Sequence, residues 1–219
     1  VARKLTGSDL VNLRRSELEA GAKPKSINNR LSFLKTVFNE LYRLSDIDYP
    51  NPLAKVKPLK LQEAELSYLQ AHQIRQLLEA LENSRSSSVR LVAEVCLATG
   101  ARWSEAQGLR PDLVRNNTVT FVNTKSKRVR TVPISESLAE RVSTHLKAKG
   151  RFTVCLRAFR IALKASGIEL PKGQASHVLR HTFASHFMMN GGGILTLSKI
   201  LGHSSLSVTM RYAHLSPSH

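Results

Sequence analysis

The sequence has little cysteine and no long apolar run. Its two cysteines, Cys96 and Cys155, lie in apolar stretches with helical spacing, so we expect buried free thiols of an intracellular protein rather than a disulfide framework. No signal peptide is recognisable, and no apolar stretch approaches the length of a membrane span. These absences predict a cytoplasmic globular protein with no membrane partner.

Acidic residues are also scarce, with 16 Asp and Glu against 33 Lys and Arg and a formal net charge of +17. This excess indicates a polyanionic partner, because phosphates neutralised by a protein release counterions and so favour binding. The alternative, an anionic membrane surface, favours a basic amphipathic helix with bulky apolar residues on its other face. Here the basic residues are spread along the chain and aromatics make up 5%, which favours nucleic acid.

Two segments follow from the pattern along the chain. Residues 1–60 read as a small helical domain, in which Ser26 is expected to cap a helix whose apolar residues recur at helical spacing through Leu44. Residues 49–65 contain three prolines, which fix φ and remove donors, so this stretch is a linker candidate with a boundary near 50–66. We place the linker at 61–66 and a second domain at 67–219.

The second domain reads as helices interrupted by one hairpin. Helices are expected at 71–83, 89–99, 137–147, 153–165, 178–189, 195–201 and 206–215, and Gly100 is a plausible end of the second. Residues 118–123 and 129–134 alternate like strands and are joined by the basic turn TKSKR. The predicted fold class is mainly α (α+β), a small helical domain beside a mixed domain with a small antiparallel sheet.

Polar side chains at helical spacing suggest phosphate chemistry, although each is weak evidence alone. The three-residue spacing of Arg102 and Glu105 by itself favours a surface ion pair over a grip on phosphate. Arg180 follows His177 at the start of an apolar helix, where a forked guanidinium suits two oxygens of one phosphate. His177 and His181 could instead bind a metal. The Glu of HExxH is absent and there is no Cys cluster, so we predict neither metal nor cofactor.

The remaining candidates are equally ambiguous in isolation. His203 alone would be a loop histidine without a role. Tyr212 lies midway along a short predicted amphipathic helix, where a tyrosine is usually half-buried, with its ring packed and its hydroxyl hydrogen-bonded. Lys125 begins the basic cluster of the hairpin turn, whose simplest role is non-specific contact with backbone phosphates. A hairpin tip can also carry one lysine into a minor groove, beside a reacting phosphate. The other basic side chains that we expect to contact nucleic acid are Lys25, Arg30, Lys35, Lys127, Arg128 and Arg130.

Five segments together resemble a known family. TGARWSEA, NTKSKRVRTVPIS, HVLRHTFASHFMMNGGG, LGHSS and TMRYAHL are similar, in this order, to the motif boxes of tyrosine recombinases, and most of all to temperate-phage integrases. Residues 67–219 resemble the catalytic domain of that family. Residues 1–60 are similar, less specifically, to its core-binding domain, and because they are short for it we expect its first helix to be missing.

The resemblance implies an active site of six residues: Arg102, Lys125, His177, Arg180, His203 and Tyr212. Tyr212 would be the nucleophile, Arg102 and Arg180 the phosphate-binding arginines, and the two histidines their neighbours in the site. Lys125 would be the hairpin lysine, with Lys127 as its competitor. Glu105 would support the first arginine.

The resemblance also implies a function. The expected protein is a site-specific recombinase, encoded by a phage or other mobile element and acting at the bacterial nucleoid, that integrates and excises DNA through a 3′-phosphotyrosine without metal or ATP. Its partners would be double-stranded DNA, three further copies in a tetramer, and host or phage DNA-bending proteins. Two alternatives remain open: a type IB topoisomerase, which has similar catalytic residues, and a non-catalytic DNA-binding module.

Overall fold

The computed structural model of the chain describes residues 5–61, 67–122, 129–171 and 173–217. The chain divides into two compact units, Val1–Glu65 and Leu66–His219. Linker residues 62–66 and the hairpin turn, which includes Lys125, Lys127 and Arg128, lie outside the described residues.

The described residues of the first unit form two helices, α1 (Gly7–Glu19) and α2 (Pro24–Arg43). A capping box begins α1: Thr6 Oγ1 accepts from the backbone of Asp9, and the Asp9 carboxylate accepts from the backbone of Thr6. Lys23 is the N-cap of α2, and Pro24 occupies the first turn. Proline has no N–H, which costs no hydrogen bond there because N–H groups of the first turn have no acceptor within the helix. The prediction that Ser26 caps this helix is therefore wrong.

The proline-containing stretch after α2 packs back onto that helix. Leu53 is fully buried and Val56 nearly so, in a small core with Leu31 and Phe38. The side chain of Asn28 pairs with the backbone of Leu59 through two 2.8 Å hydrogen bonds. Much of the linker candidate at 49–65 thus belongs to the first unit, because two apolar side chains and one amide anchor it.

The second unit is mainly helical. Its helices are α3 (Ala71–Glu82), α4 (Val89–Thr99), α5 (Trp103–Gln107), α6 (Glu136–Lys149), α7 (Leu156–Ala165), α8 (Val178–Met189), α9 (Ile194–Leu201) and α10 (Ser207–Met210). Short 3-10 turns occupy Pro111–Leu113 and Ala213–Leu215. The bounds of α4 and α8 match those predicted. Helix α4 has no exposed residue, and it packs against α5, α6, α7 and α8.

A three-stranded antiparallel sheet adjoins these helices, in the order β1 (Val114–Arg115), β2 (Thr118–Phe121), β3 (Arg130–Pro133). Its register pairs Val119 with Val132 and Phe121 with Arg130. The predicted fold class is confirmed. The two-residue strand β1 was not predicted because it is too short to show alternation.

The end of the second unit departs from the predicted helix at 206–215. The backbone hydrogen bonds here join residues three apart, as in a 3-10 helix, instead of four apart as in an α-helix. Tyr212 N donates to Thr209 O and Leu215 N donates to Tyr212 O, both near 3.0 Å. Helix α10 therefore ends at Met210, and Tyr212 precedes a 3-10 turn instead of lying midway along a helix. This irregular backbone turns the phenol inward, against a cluster that includes Leu197 and Leu201.

Both cysteines are buried and unpaired with each other, which confirms the prediction of free thiols. Burial raises the pKa of Cys155 to about 11 and that of Cys96 further, so both are protonated at neutral pH. Within the described ranges, no helix is long and apolar enough to cross a membrane.

The turn at Gly100 generates a stability prediction. Gly100 has φ of +65°, and an added Cβ would lie 2.5 Å from Phe183 and 2.6 Å from Leu201. Gly167 has a similar φ of +70° with nothing within 4 Å, so it is a matched control for backbone strain. We expect Gly100→Ala to lower the free energy of unfolding by about 2 kcal/mol more than Gly167→Ala, measured by chemical denaturation. Equal losses would show that the close approach at Gly100 is unimportant.

Candidate active site

The buried side chain of Arg180, in the first turn of α8, joins two loops of the second unit. Arg180 is 5% exposed; its Nη1 donates to Gly100 O at 2.8 Å and its Nη2 to Leu201 O at 2.7 Å. Gly100 lies two residues before Arg102, and Leu201 lies two residues before His203. One guanidinium therefore brings both sequence-predicted loop residues to the start of α8.

Arg180 remains a cation despite its burial. Burial and the neighbouring charge of Arg102 lower its pKa to about 10. It is therefore protonated at neutral pH, and the two carbonyls occupy two of the five N–H donors that a guanidinium has.

The carboxylate of Glu105 holds two further arginines of the site, Arg102 and Arg130. Its side chain is 4% exposed, and Oε1 accepts from Arg102 Nη1 at 2.9 Å, while Oε2 accepts from Arg130 Nη2 at 2.6 Å. Oε2 also accepts from the backbone N–H of Arg102 at 3.0 Å. The surface ion pair favoured by spacing alone is therefore wrong, because this carboxylate is buried and bridges two arginines.

These two arginines differ in access. The side chain of Arg102 is 27% exposed, whereas that of Arg130 is 7% exposed and lies over the ring of Phe121 at 4.5 Å. Arg130 lies on the inner face of β3 and pairs with Glu105, so it is a buried cation, and its contact with DNA stays a prediction. Burial alone would raise the pKa of Glu105, but hydrogen bonds from Arg130 and Arg102 outweigh it and lower the pKa.

The two predicted histidines lie beside these arginines. His177 occupies the N-cap position of α8, and His203 places Nδ1 2.7 Å from the hydroxyl of the buried Thr209. Burial, Arg180 and Arg102 lower the pKa of both imidazoles, that of His203 to about 4. Both rings are therefore mainly neutral at pH 7, and a neutral imidazole can still donate one hydrogen bond to an anion.

The phenol of Tyr212 lies against α8. Tyr212 is 2% exposed, and its Oη is 2.6 Å from Nδ1 of His181. Burial raises the pKa of Tyr212, although the charges of Arg180 and Arg211 act in the opposite direction. Burial, followed by the charge of His177 and then that of Arg211, lowers the pKa of His181 to about 4.

Three contributors to this site were not predicted from the sequence. These are His181, whose spacing from His177 suggests only a metal ligand, Arg211 and Thr209. The signal for His181 was its four-residue spacing from His177, which places both imidazoles on one face of α8 with ring centroids 6.4 Å apart. In the part of the chain that the structure describes, no group of three or more His, Cys, Asp or Glu side chains could hold a metal ion.

Comparison with known proteins decides the family. The model of the phage integrase family matches residues 67–219, and that of the phage integrase N-terminal domain matches residues 1–60. The chain belongs to the phage integrase family. The resemblance of its motifs to tyrosine recombinases of temperate phages is thereby confirmed.

Individual integrases agree with this assignment. The integrase of Haemophilus phage HP1 (strain HP1c1) is 48% identical over 218 residues, which cover 99% of this chain and 62% of that protein. The chain thus spans less than two thirds of that relative. The structure of the catalytic domain of bacteriophage HP1 integrase matches with a TM-score of 0.65 at 54% identity, covering 71% of this chain and 91% of that domain.

A more distant structure shows the same fold. A λ integrase(75-356) dimer bound to a COC′ core site matches with a TM-score of 0.75 at 19% identity, covering 95% of this chain and 80% of that one.

Two of the three basic residues predicted to contact DNA from the first unit have partners within it. Arg30 forms an ion pair with Glu17 at 2.6 Å, and Lys35 Nζ donates to Ala54 O at 2.9 Å. Lys25 is exposed near the start of α2. Phosphate contact by Arg30 or Lys35 would compete with these bonds, so their role in this integrase stays a prediction.

The buried pair of Glu105 and Arg130 generates a prediction. Glu105→Gln should lower the free energy of unfolding of the integrase by about 3 kcal/mol, because a buried guanidinium loses its counter-ion. Asp112→Asn, which breaks an exposed pair with Arg110, should cost less than about 1 kcal/mol. Since the pKa of Glu105 is lowered in the folded state, its contribution is present at neutral pH and is lost as pH falls below about 4. Denaturation at pH 7 and pH 3.5 measures both effects, and an undiminished difference at pH 3.5 would contradict them.

The histidines generate a second prediction. The folded-state pKa values of His181 and His203 are both about 4, below the ordinary 6.5. The unfolded chain binds protons more readily, so stability is full above pH 6.5 and decreases as pH falls towards 4. The double variant His181→Gln/His203→Asn should show a shallower decrease in thermal midpoint over this range. His72→Gln, on an exposed side chain of α3, should follow the wild type, and an unchanged slope in the double variant would rule the explanation out.

Proposed function

We propose that this integrase is a site-specific DNA recombinase that breaks and rejoins a phosphodiester through a covalent 3′-phosphotyrosine at Tyr212. The observation that carries the proposal is the pair of hydrogen bonds that Arg180 donates to Gly100 O and Leu201 O. It brings Arg102 and His203 together at the start of α8, the helix whose His181 contacts the phenol. Such a set of cations and neutral donors beside a phenol suits transfer of a phosphoryl group to tyrosine.

The electrostatics favour a phosphate as the reacting group. A phosphodiester is a poor electrophile because its negative charge repels nucleophiles. Arg102 and Arg180 would neutralise that charge and stabilise the charge that develops on the non-bridging oxygens in the transition state, while His177 and His203 donate hydrogen bonds to the same oxygens. Preorganised donors of this kind usually supply the largest catalytic contribution.

The leaving group needs a proton as well. As Tyr212 Oη bonds to phosphorus, the bond to the 5′-oxygen breaks, and we assign the proton that this oxygen takes to Lys125. Lys127 is the competing candidate; both lie outside the described residues. The phosphotyrosine conserves the energy of the broken bond, so a 5′-hydroxyl from another strand can reverse the step without ATP.

The proposed substrate is double-stranded DNA at the attachment sites of a mobile element. A net charge of +17 supports a polyanionic substrate, and the fold is shared with a λ integrase dimer bound to a core site. Exchange of two sites would engage four copies of the chain, assisted by DNA-bending accessory proteins. Integration and excision would be the two directions of this exchange.

A nicked duplex tests the covalent step. When cleavage releases a short oligonucleotide that diffuses away, the adduct cannot reverse and accumulates. With duplexes spanning the DNA that flanks the gene, we expect the chain to form an adduct stable to denaturing electrophoresis. Tyr212→Phe should form at least about 1,000-fold less, because it lacks the nucleophilic oxygen. Tyr42→Phe, an exposed tyrosine on α2, should behave as the wild type.

The other outcomes are informative. DNA binding without an adduct on any of these duplexes would leave a non-catalytic binding module. An adduct that persists in Tyr212→Phe would place the nucleophile elsewhere. Multiple-turnover relaxation of a supercoiled plasmid that lacks the attachment site would indicate a type IB topoisomerase.

A further inference from the structure

His181 is hydrogen-bonded to the phenol oxygen of Tyr212, the proposed nucleophile. Nδ1 of His181 lies 2.6 Å from Tyr212 Oη, and the two ring centroids are 6.0 Å apart. The phenol is 2% exposed and the imidazole is partly buried, so protein rather than water surrounds this contact. The oxygen that must lose a proton to attack phosphorus is thus already bonded to a group that can take one.

The position of His181 on α8 explains how a base can serve the nucleophile beside a phosphate site. His181 follows Arg180 directly, so the two side chains diverge from neighbouring positions on the helix. It also lies four residues after His177, one turn or about 5.4 Å along the axis. The helix therefore presents Arg180 and His177 at the proposed phosphate site and presents His181 to Tyr212.

We propose that His181 is the general base of strand cleavage, with Nδ1 accepting the proton of Tyr212 Oη as the oxygen attacks phosphorus. This role rests on the proposed function. The Oη–H bond breaks towards Nδ1, a new Oη–P bond forms, and the P–O5′ bond breaks with its electron pair on the 5′-oxygen. His181 gains one proton while Lys125 gives one to the 5′-oxygen, so charge and atoms balance. In rejoining, the protonated His181 returns its proton to the departing phenolate.

The charges around His181 make its basicity depend on whether the substrate is bound. In the structure, the titratable and charged groups that act on it are His177 and Arg180 on α8, His203 after α9, and Arg211 beside Tyr212. The arginines oppose formation of an imidazolium. A phosphodiester anion bound at Arg102 and Arg180 offsets that field, so His181 becomes a better base when DNA occupies the site. Tyr212 is then deprotonated at the phosphate that it attacks and not before.

Two substitutions separate proton transfer from positioning. The amide oxygen of His181→Gln can still accept a hydrogen bond from the phenol but cannot take its proton at neutral pH, whereas His181→Phe retains a ring and does neither. Single-turnover adduct formation at pH 7, with saturating protein on the nicked duplex, should be about 100-fold slower or more in both variants. Duplex affinity and circular dichroism should match the wild type, because the proposed role of His181 rests on its contact with the phenol and requires none with DNA.

The pH profile and a modified substrate complete the experiment. The cleavage rate of both variants should rise about tenfold per pH unit through the alkaline range, as phenolate forms without a base, while the wild type levels off at lower pH. A substrate with bridging sulfur in place of the 5′-oxygen has a leaving group that needs no proton. That substrate should restore cleavage to Lys125→Ala and should leave His181→Gln slow.

Each contrary result has a distinct meaning. Wild-type cleavage by His181→Gln would reduce the residue to a positioning role, and wild-type cleavage by both variants would leave it none. Rescue of His181→Gln by the sulfur substrate would move its action to the leaving group. Any of these overturns the base role while the proposed function stands. Absence of an adduct with the unsubstituted chain overturns the proposed function, and the base role with it.

Discussion

The site depends on one buried cation placed at the ends of two helices. Arg180 donates to the carbonyls of Gly100, which ends α4, and Leu201, the last residue of α9. Carbonyls at a helix C-terminus have no intrahelical partner and carry partial negative charge, so a guanidinium satisfies two of them and is stabilised by both dipoles. Burial would otherwise make an arginine costly here. The phosphate binding that we propose and the folding of these helix ends would therefore use the same side chain.

Both helices end in the same way. Gly100 and Gly202 adopt left-handed conformations, with φ of +65° and +66°, and each reverses the chain at the point where a site residue follows. Arg102 and His203 thus project from helix ends that Arg180 fixes. Tyr212 differs, because it lies on an irregular 3-10 segment held by apolar packing and the bond to His181. The proposed phosphate-binding groups are thus placed by glycine-ended helices, and the proposed nucleophile by side-chain packing and one hydrogen bond.

The sequence predicted the features that local chemistry decides. The bounds of α4 and α8 followed from continuous apolar runs, and the end of α4 from a glycine with no Cβ to oppose a positive φ. The burial of Arg130 is not evident from its charge, although Val132 two residues later marks the inner face of the same strand. The burial of Glu105 and the pairing of His181 with Tyr212 depend on contacts between distant segments. The hydrophobic periodicity of one segment does not predict which distant segment it contacts.

The charge balance of the site also constrains how the chemistry can be timed. With no anion bound, burial and then nearby charges, those of the arginines among them, lower the pKa of His181 and His203, and burial raises the pKa of Tyr212, so the phenol and the imidazoles are poorly matched for proton transfer. Any group that removes the cationic field improves the match, and a phosphodiester does so while supplying the electrophile. Under the proposed mechanism such a site would need no separate switch, because the substrate's own charge would make the imidazole a better proton acceptor. The energy of phosphate binding would then be used to activate the proposed nucleophile, which is where differential stabilisation of the transition state raises the rate.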